Sequence, residues 1–272
     1  MINKTETALV KNGFQIIRNA IPQKLIKRIQ RCALESINSK LKGNLYESFL
    51  SKLNNSKKKE YEFVKPINES LINKSLINEI LINKKVFNFT KNILGSDLAY
   101  LDDNVMTINT KDKANSKKNY HFKEWHQEIW SGADISTLIF WTPIFQKNKS
   151  AGQIAFIKGS NKWGHIPHRN RSPINLPKKY EVYKTNLNLG DIVCFTSLTL
   201  HKTVVTEHSR LALPMLVKNF KFNNNSFEKY KNWKIYSYSD ITKIERYLGN
   251  HYLSPYRIID RDVNLNDSII KK

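Results

Sequence analysis

The sequence predicts an α+β fold that is mainly β: an antiparallel barrel or sandwich with helices on one face. Helical periodicity dominates residues 1–100, whereas short apolar segments separated by turn-forming residues dominate residues 101–220. Many short strands after a helical part are typical of sheets covered by helices. Because no linker divides the 272 residues, we expect a single domain, 1–272, with residues 221–272 as a C-terminal extension.

The predicted helical part opens with a strand from Phe14 to Ile17, which is followed by Pro22. After this proline, apolar residues recur at a spacing that places them along one face of an amphipathic helix. They are Leu25, Ile29, Ala33 and Ile37. We expect this helix to pack on a sheet.

Two further segments complete the helical part. Ser70 to Leu94 predicts helix, and Gly95 is its expected stop signal. Between residues 43 and 68, the stretch around Asn54 to Lys59 is expected to form a surface loop or lid, because it is polar and rich in lysine.

Short apolar segments predict the strands of the β part. Turn-forming residues separate them, among them Gly152, Gly159 and the pair Gly190-Asp191. The predicted strands are Val105 to Ile108, Leu138 to Trp141, Ile154 to Ile157, Ile192 to Phe195 and Leu211 to Val217. A last helix is predicted from about Ile241 to Leu248, ended by Gly249.

The net charge of +22, from 45 Lys+Arg against 23 Asp+Glu, would suit a protein that binds nucleic acid or an anionic membrane surface. The excess is mostly lysine and is spread over the whole chain with many asparagines and isoleucines, as an AT-rich coding bias would give. We therefore expect no specific nucleic-acid partner. A basic nucleic-acid-binding protein stays as an alternative, and its affinity would fall steeply with salt.

Cysteine usage bears on the compartment. Cys32 and Cys194 are the two cysteines of the sequence, too few for a disulfide framework or a zinc-binding cysteine cluster. We therefore expect a reducing, cytoplasmic location. No run of about 18 apolar residues occurs, so no membrane span is expected, and the N-terminus lacks the features of a signal peptide.

The segment Trp125-His126-Gln127-Glu128 holds a His-x-Glu pair. On an extended chain this spacing puts both side chains on one face, because strand side chains alternate with period two. His201, 75 residues after His126, would add a third ligand from a distant strand. Two histidines and one carboxylate leave the opposite positions open, which suits ferrous iron that binds a cosubstrate and dioxygen.

The pair alone is weak evidence, because a lone histidine in a β-protein is more often a hydrogen-bonded structural residue. Thr203 and Arg210, which follow His201, strengthen it. An arginine on the adjacent strand can hold a carboxylate by two charge-assisted hydrogen bonds, and a hydroxyl can add a third. The far carboxylate of 2-oxoglutarate would suit such a site. In isolation, Arg210 would be read as a surface strand residue.

An ordered set of motifs extends this pattern. It consists of Trp125-His126-Gln127-Glu128, Phe140-Trp141-Thr142-Pro143-Ile144, Gly159-Ser160-Asn161-Lys162-Trp163-Gly164, Gly190-Asp191, and His201 with Thr203 and Arg210. The set resembles the phytanoyl-CoA dioxygenase (PhyH)-like family of Fe(II)/2-oxoglutarate oxygenases. The early segment Asn12 to Ile17, followed by a helix, is similar to that family's N-terminus. The resemblance spans roughly residues 8 to 220.

The resemblance implies a double-stranded β-helix, a jelly-roll or cupin-like core, with the N-terminal helices packed on one sheet. It implies Fe(II), 2-oxoglutarate and O2 as cofactor and cosubstrates. The metal ligands and catalytic residues implied are His126, Glu128 and His201. Thr203 and Arg210 would contact the cosubstrate, and Trp141 would line the same pocket.

The sequence departs from the family pattern at three points. Glu128 stands where aspartate is usual, and Asn161 replaces a histidine of the usual Gly-Ser-His. The family's cosubstrate-contacting lysine has no clear counterpart before His126. The lysines in that region are Lys111, Lys113, Lys117 and Lys118.

We expect hydroxylation of a small polar or anionic metabolite, a natural product or a surface-sugar precursor, by a monomer or weak homodimer. The substrate hint comes from the basic surface and from one neighbourhood of the sequence. It comprises Trp130, Trp163, His165, His168 and Arg169. The ligating Glu128 speaks against halogenation, since it takes the position that a halide would need. A non-catalytic β-barrel binding module with a degenerate metal site is a second alternative, and it would retain no iron.

Overall fold

The computed structural model describes residues 4–41, 43–102, 106–109, 124–131, 133–149, 154–169, 172–204, 208–221 and 233–248. Two compact units are distinguished, residues 1–236 and 237–272, and each is described by itself. The single-domain organisation of the chain stays a prediction. None of the helices in the described ranges is long and apolar enough to cross a membrane.

The helices of the first unit are α1 (Lys4–Asn12), α2 (Gln23–Ser36), α3 (Leu45–Asn54), α4 (Glu60–Asn73), α5 (Leu76–Leu81) and α6 (Lys84–Leu94). Helix α2 confirms the first predicted helix, and Leu25, Ile29 and Ala33 are buried along it. The second unit contains α7 (Asp240–Leu248), which confirms the predicted last helix. Gly249 lies outside the described residues.

The surface loop predicted around Asn54 to Lys59 is confirmed. Residues 55–59 connect α3 to α4 and are mostly exposed. The segments on either side are helical. Helix α3 begins at a capping box in which the Asn44 side chain accepts a hydrogen bond from Glu47 N at 2.9 Å. Phe49 is fully buried on this helix.

The helix predicted from Ser70 to Leu94 is divided over α4, α5 and α6. Ser75 adopts a left-handed conformation (φ +55°) and thereby ends the run from α4. Asn83 caps α6 by accepting a hydrogen bond from Lys85 N at 3.2 Å. The predicted stop at Gly95 is confirmed, with a φ of +79°.

The strands are β1 (Phe14–Ile17), β2 (Leu98–Leu101), β3 (Thr107–Asn109), β4 (Leu138–Phe145), β5 (Ile154–Ile157), β6 (His168–Arg169), β7 (Ser172–Pro173), β8 (Val182–Lys184), β9 (Ile192–Thr196), β10 (His201–Thr203), β11 (Arg210–Asn219) and β12 (Trp233–Ser237). Strands β1 and β5 match their predicted bounds, and β4, β9 and β11 are longer than predicted. Strand β3 covers the end of the predicted Val105 to Ile108, but Val105 and Gly152 lie outside the described residues.

Within the described residues, the strands form one large and one small antiparallel sheet. The large sheet has the order β1-β9-β4-β11-β2-β12, with β3 also paired to β11. The small sheet has the order β10-β5-β8. Strands β6 and β7 form a separate pair.

Aromatic side chains join the two sheets. Phe14 of β1 stacks on Phe156 of β5 with ring centroids 4.5 Å apart. Phe156 also contacts Phe195 of β9 at 5.1 Å. These residues belong to one buried cluster, which includes Trp141 and Ala212 and lies between the sheets. Face-to-face packing of two antiparallel sheets confirms the predicted β architecture.

The helices cover the other face of the large sheet. Phe49 of α3 stacks on Phe145 of β4 at 4.5 Å, and Gln30 of α2 donates a hydrogen bond to Ile144 O at 2.8 Å. The large apolar cluster on this side contains residues of α2 to α6 and of the large sheet. The prediction that the N-terminal helices pack on one sheet is confirmed.

Asp191, of the Gly190-Asp191 motif, holds the N-terminal segment onto the large sheet. Its carboxylate accepts hydrogen bonds from Arg18 Nη1 at 2.6 Å, Asn19 N at 2.8 Å and Asn188 N at 2.9 Å. A Cβ on Gly190 would lie 2.8 Å from Ile21 O, so only glycine fits there. This motif is therefore structural.

Cys32 and Cys194 are both free thiols and both buried. Cys194 lies in β9. The cytoplasmic location stays a prediction.

Candidate metal centre

His126 and His201 face each other across an isolated antiparallel bridge. The amide of each donates to the carbonyl of the other, at 3.1 Å in both directions. Their rings lie 4.1 Å apart between centroids, and both side chains are buried. The bridge therefore fixes the spacing of two residues that are 75 positions apart in the sequence.

Both imidazoles are oriented through Nδ1. His126 Nδ1 lies 2.8 Å from Glu124 O, and His201 Nδ1 lies 2.9 Å from Thr199 O. A carbonyl oxygen can only accept, so each Nδ1 carries the hydrogen and donates it. The lone pair of each neutral ring is then on Nε2. Histidine ligands of metal ions are commonly fixed in this way.

Glu128 completes the group. Its Oε1 lies 3.4 Å from His126 Nε2 and 3.3 Å from His201 Nε2. The prediction of an extended chain at this point is only partly right, because His126 forms a bridge whereas Glu128 begins a 3-10 helix, Glu128–Ser131. The turn of this helix still brings the carboxylate to the side that both Nε2 atoms face.

The chemistry of the three side chains fits a metal ion. One ligand atom from each lies within 4.8 Å of the others. Atoms bound at about 2.1 Å in neighbouring octahedral positions lie about 3 Å apart, close to the two histidine–glutamate distances. Two neutral imidazoles and one carboxylate are the donor set of the facial triad of non-haem iron sites.

Gln127, between His126 and Glu128, is fully buried. Its Nε2 donates to Gly164 O at 2.8 Å and to Leu198 O at 2.7 Å. Its Oε1 accepts from Ile166 N at 2.9 Å. The ligand segment is thereby tied to two loops. The sequence motif includes Gln127, but a glutamine inside it gives no signal of these contacts.

Arg210 is the first residue of β11, and its side chain is buried, with 1% of its surface exposed. None of its three nitrogens has a hydrogen-bond partner among the described residues. Burial lowers the pKa of this guanidinium to about 9. A buried cation with unpaired donors is costly unless an anion joins it. The surface-residue alternative for Arg210 is wrong.

The sequence suggested that Arg210 lies on the strand adjacent to that of His201. The structure does not place it there. It lies in the large sheet, whereas His201 lies in the small one. Strand alternation puts Arg210 on the same face as Ala212, which belongs to the cluster between the sheets. The two side chains therefore approach the inter-sheet space from opposite sheets.

The other two predicted cosubstrate residues are both in the β-core. Trp141 is buried between the sheets, and its ring centroid lies 4.7 Å from Arg210 Cζ. Thr203 is half-buried in β10, two residues after His201, and therefore shares the face of that strand with it. Its strand partner is Ile154, another residue of the inter-sheet cluster.

Two polar neighbours of Arg210 were not predicted from the sequence. Asn109 pairs with Arg210 across β3 and β11, and Gln146 follows Phe145, the partner of Leu211. Both are buried, and neither Asn109 Oδ1 nor Gln146 Oε1 has a hydrogen-bond partner among the described residues. Asn109 and Gln146 come close to Arg210 through strand pairing, which cannot be read from the sequence.

The four lysines considered for the missing family lysine, and His121, lie outside the described residues.

The Gly159-Ser160 motif forms a hydrogen bond with Leu200, the residue before His201. Ser160 Oγ donates to Ile157 O at 2.8 Å and accepts from Leu200 N at 2.9 Å. Asn161, at the place of the missing family histidine, donates from Nδ2 to Val10 O at 3.1 Å. This part of the pattern is therefore structural.

The suggested substrate neighbourhood is partly assembled. Trp130, two residues after Glu128, stacks on His168 with centroids 4.3 Å apart and planes at 15°. His165, His168 and Arg169 are exposed, and Trp163 is 36% exposed. An aromatic and basic surface thus begins next to the ligand segment.

Comparison with known structures agrees with the fold. The non-heme monooxygenase ThoJ, in its apo form, has a TM-score of 0.56 at 14% identity, over 98% of this chain and 99% of its own. The epimerase SnoN, solved with Fe3+, alpha-ketoglutarate and nogalamycin RO, has a TM-score of 0.53 at 10% identity, over 79% of this chain and 82% of its own. At such identities the likeness concerns the fold alone. No curated protein matches the chain.

A match to a family model shows the family of the chain. The model of phytanoyl-CoA dioxygenase (PhyH) matches residues 9–212, three quarters of the chain. The predicted resemblance and the double-stranded β-helix are thereby confirmed, and Fe(II), 2-oxoglutarate and O2 are the cofactor and cosubstrates of such enzymes. The chain belongs to the phytanoyl-CoA dioxygenase (PhyH) family.

Proposed function

We propose that this protein hydroxylates a small polar or anionic molecule in a reaction that depends on Fe(II), 2-oxoglutarate and O2. His126, Glu128 and His201 would bind the iron, and Arg210, Thr203 and Trp141 would hold the cosubstrate. The observation that carries the proposal is the convergence of two histidine Nε2 atoms on Glu128 Oε1, at 3.3 and 3.4 Å.

The chain's residues prepare the metal ligands before any ion binds. The backbone carbonyls of Glu124 and Thr199 hold the two Nδ1–H groups, so both Nε2 lone pairs point toward the carboxylate. Glu128 supplies one negative charge, which offsets half of the charge of a divalent ion. Three protein ligands on one side leave the other positions for cosubstrate and dioxygen.

Arg210 is the residue best suited to a dicarboxylate. Its guanidinium is fully buried and presents unpaired N–H donors, which a carboxylate accepts as a bidentate pair. The Trp141 ring centroid lies 4.7 Å from Arg210 Cζ, within the range of a cation–π contact that holds the guanidinium in place. The hydroxyl of Thr203, on the opposite sheet, would add one neutral hydrogen bond. With its far carboxylate held there, 2-oxoglutarate would direct its keto-acid end toward the histidines.

Bound iron with 2-oxoglutarate and dioxygen supplies an oxidant strong enough to remove a hydrogen atom from a C–H bond. The ring centroid of His201 lies 4.5 Å from that of Phe195 and 6.1 Å from that of Phe156. These apolar side chains would keep water from this side of the site. Glu128 takes the ligand position that a halide would need, which favours hydroxylation over halogenation.

The substrate would bind over the exposed side of the ligand segment. The Trp130–His168 stack offers a flat aromatic surface, and Arg169 and His165 lie exposed nearby in the sequence. Cationic and aromatic groups together favour a polar or anionic molecule with a flat or apolar part.

An anaerobic titration of Fe(II) and 2-oxoglutarate tests the proposal. The wild type should give the weak visible charge-transfer band of an iron–2-oxoglutarate complex, and His126→Ala and His201→Ala should lose it. His208→Ala, a histidine outside the group, should keep it. Folded wild-type protein without the band would refute the assignment.

The reaction outcome needs a separate measurement. With candidate substrates, product mass distinguishes hydroxylation, which adds one oxygen atom, from epimerisation, the activity named for SnoN. A product of unchanged mass and inverted stereochemistry would overturn the hydroxylase proposal and leave the metal site intact.

A further inference from the structure

The turn that leads from β9 to β10, residues 196–199, forms hydrogen bonds with His201 and with residues next to His126 and Glu128. Three consecutive carbonyls of this turn are acceptors. Ser197 O accepts from Ile129 N at 3.3 Å, Leu198 O from Gln127 Nε2 at 2.7 Å, and Thr199 O from His201 Nδ1 at 2.9 Å. A shift of this turn would therefore move both ligand segments together.

The carbonyl of Gly13 anchors the turn. It accepts from Thr196 N at 3.1 Å and from Thr199 Oγ1 at 2.7 Å. The single hydroxyl hydrogen of Thr199 is used in that bond, so Thr196 Oγ1 must be the donor in the 2.8 Å contact between the two hydroxyls. Thr199 is fully buried, so water does not replace these bonds.

Gly13 permits this contact because it has no side chain. Its φ is +85°, and a Cβ there would lie 2.6 Å from Thr199 Oγ1 and 2.9 Å from Asn161 Oδ1. The Asn12-Gly13-Phe14 segment thus brings its backbone against the turn, and Asn12 O accepts from Gly159 N at 2.9 Å. This close contact explains why the N-terminal motif has a glycine at position 13.

We propose that Thr199 is a positioning residue for the metal centre. Its hydroxyl, held by the Gly13 carbonyl, fixes the 196–199 turn, and the turn sets the orientation of His201 and the path of the segment from His126 to Ile129. The inference rests on the proposed metal site. Thr199 itself touches neither the metal nor the substrate.

Metal affinity is the readout, because a purely structural residue would alter stability alone. Co(II) binding is followed by visible absorption under anaerobic conditions, and the melting temperature of the metal-free protein is measured in parallel. Thr199→Val should weaken Co(II) binding about tenfold, the lower end of the usual effect of groups that orient ligands. Thr199→Ser keeps the hydroxyl and should restore wild-type affinity.

Thr90→Val is the matched control. Thr90 is also fully buried, donates to Val86 O at 2.8 Å, and lies in α6 on the helical side of the large sheet. This variant should lose stability and keep the wild-type affinity for Co(II). Equal loss of affinity in Thr90→Val and Thr199→Val would overturn the inference.

A milder variant covers the case in which Thr199→Val does not fold. Thr196→Val removes only the hydroxyl–hydroxyl bond and should weaken Co(II) binding about threefold, as expected for one neutral hydrogen bond. Unchanged affinity in the folded variants of both threonines would refute the positioning role. Failure of the wild type to bind Co(II) would instead overturn the metal assignment, and this inference with it.

Discussion

The guanidinium of Arg210 lies against the indole of Trp141, with Cζ 4.7 Å from the ring centroid. The nitrogens of the guanidinium have no hydrogen-bond partner among the described residues. The large sheet thus carries a buried positive charge with unused N–H donors.

Arg210→Met should abolish the stabilisation of the protein by 2-oxoglutarate. The variant removes a bidentate charge-assisted pair, and 2-oxoglutarate affinity should fall about 100-fold. The metal-free variant should be at least as stable as the wild type, because an uncompensated buried charge is removed. Thermal melts with and without 2-oxoglutarate and metal measure both effects.

Lys218→Met provides the control for this experiment. Lys218 is also a buried cation in β11, with Nζ 4.2 Å from the Trp233 ring. Its replacement should leave the 2-oxoglutarate effect unchanged. If both variants lose the effect equally, the assignment of Arg210 is wrong.

Glu128→Asp should weaken Fe(II) binding although aspartate is the usual residue in this family. Glu128 Oε1 reaches both histidines from the first residue of a 3-10 helix, and a side chain one methylene shorter falls short of that point. We expect a loss of roughly tenfold, about 1.4 kcal/mol, measured by anaerobic titration. Glu124→Asp, which leaves the Glu124 carbonyl in place, should bind Fe(II) normally. Tighter binding by Glu128→Asp would contradict the geometry.

Asp191 should make stability depend on acid. Burial alone would raise its pKa, but the hydrogen bonds from Asn19 N, Asn188 N and the Arg18 guanidinium outweigh burial and lower the pKa below its ordinary value of 3.8. A lowered folded-state pKa contributes stability above pH 3.8, and this contribution is lost as the pH falls through the folded-state pKa. The difference in unfolding free energy between wild type and Asp191→Asn should therefore be largest near neutrality and shrink as the pH falls below 3.8 and through the lowered pKa.

Gly190→Ala should destabilise the fold by about 2–4 kcal/mol, because it combines positive φ with a collision against the Ile21 backbone. Gly159→Ala tests the strain alone. Its φ is +73°, and its Cβ would lie 3.5 Å from Lys11 O, an ordinary contact. This control should lose about 1 kcal/mol. Equal losses in urea unfolding would show that the collision is relieved by a backbone shift.

The group of His126, Glu128 and His201 could be predicted because several motifs occur in order, and the three side chains do converge. Their role as metal ligands stays a proposal. The placement of Arg210 was wrong in detail, because which strands pair depends on the sheet topology and not on distance along the sequence. The contacts of Gln127 and Thr199 could not be predicted, since their side chains bind backbone atoms, which every residue possesses.

Errors in the fold have similar physical origins. The helical stretch predicted from Ser70 to Leu94 is divided because Ser75 adopts a left-handed conformation and Asn83 caps a new helix. Strand β4 was predicted to end at Trp141 but continues through Pro143 to Phe145. Pro143 lies where the pairing with β11 shifts register, a place that tolerates a residue without an N–H group.

The bridge between His126 and His201 sets an order of events during biosynthesis. The proposed ligand set is incomplete until residue 201 has left the ribosome and paired with residue 126, and the turn beside it forms only when Gly13 packs against it. An unfolded or nascent chain would therefore offer iron no facial triad. Iron bound by these residues would be bound after folding, and it would shift the equilibrium further toward the native chain.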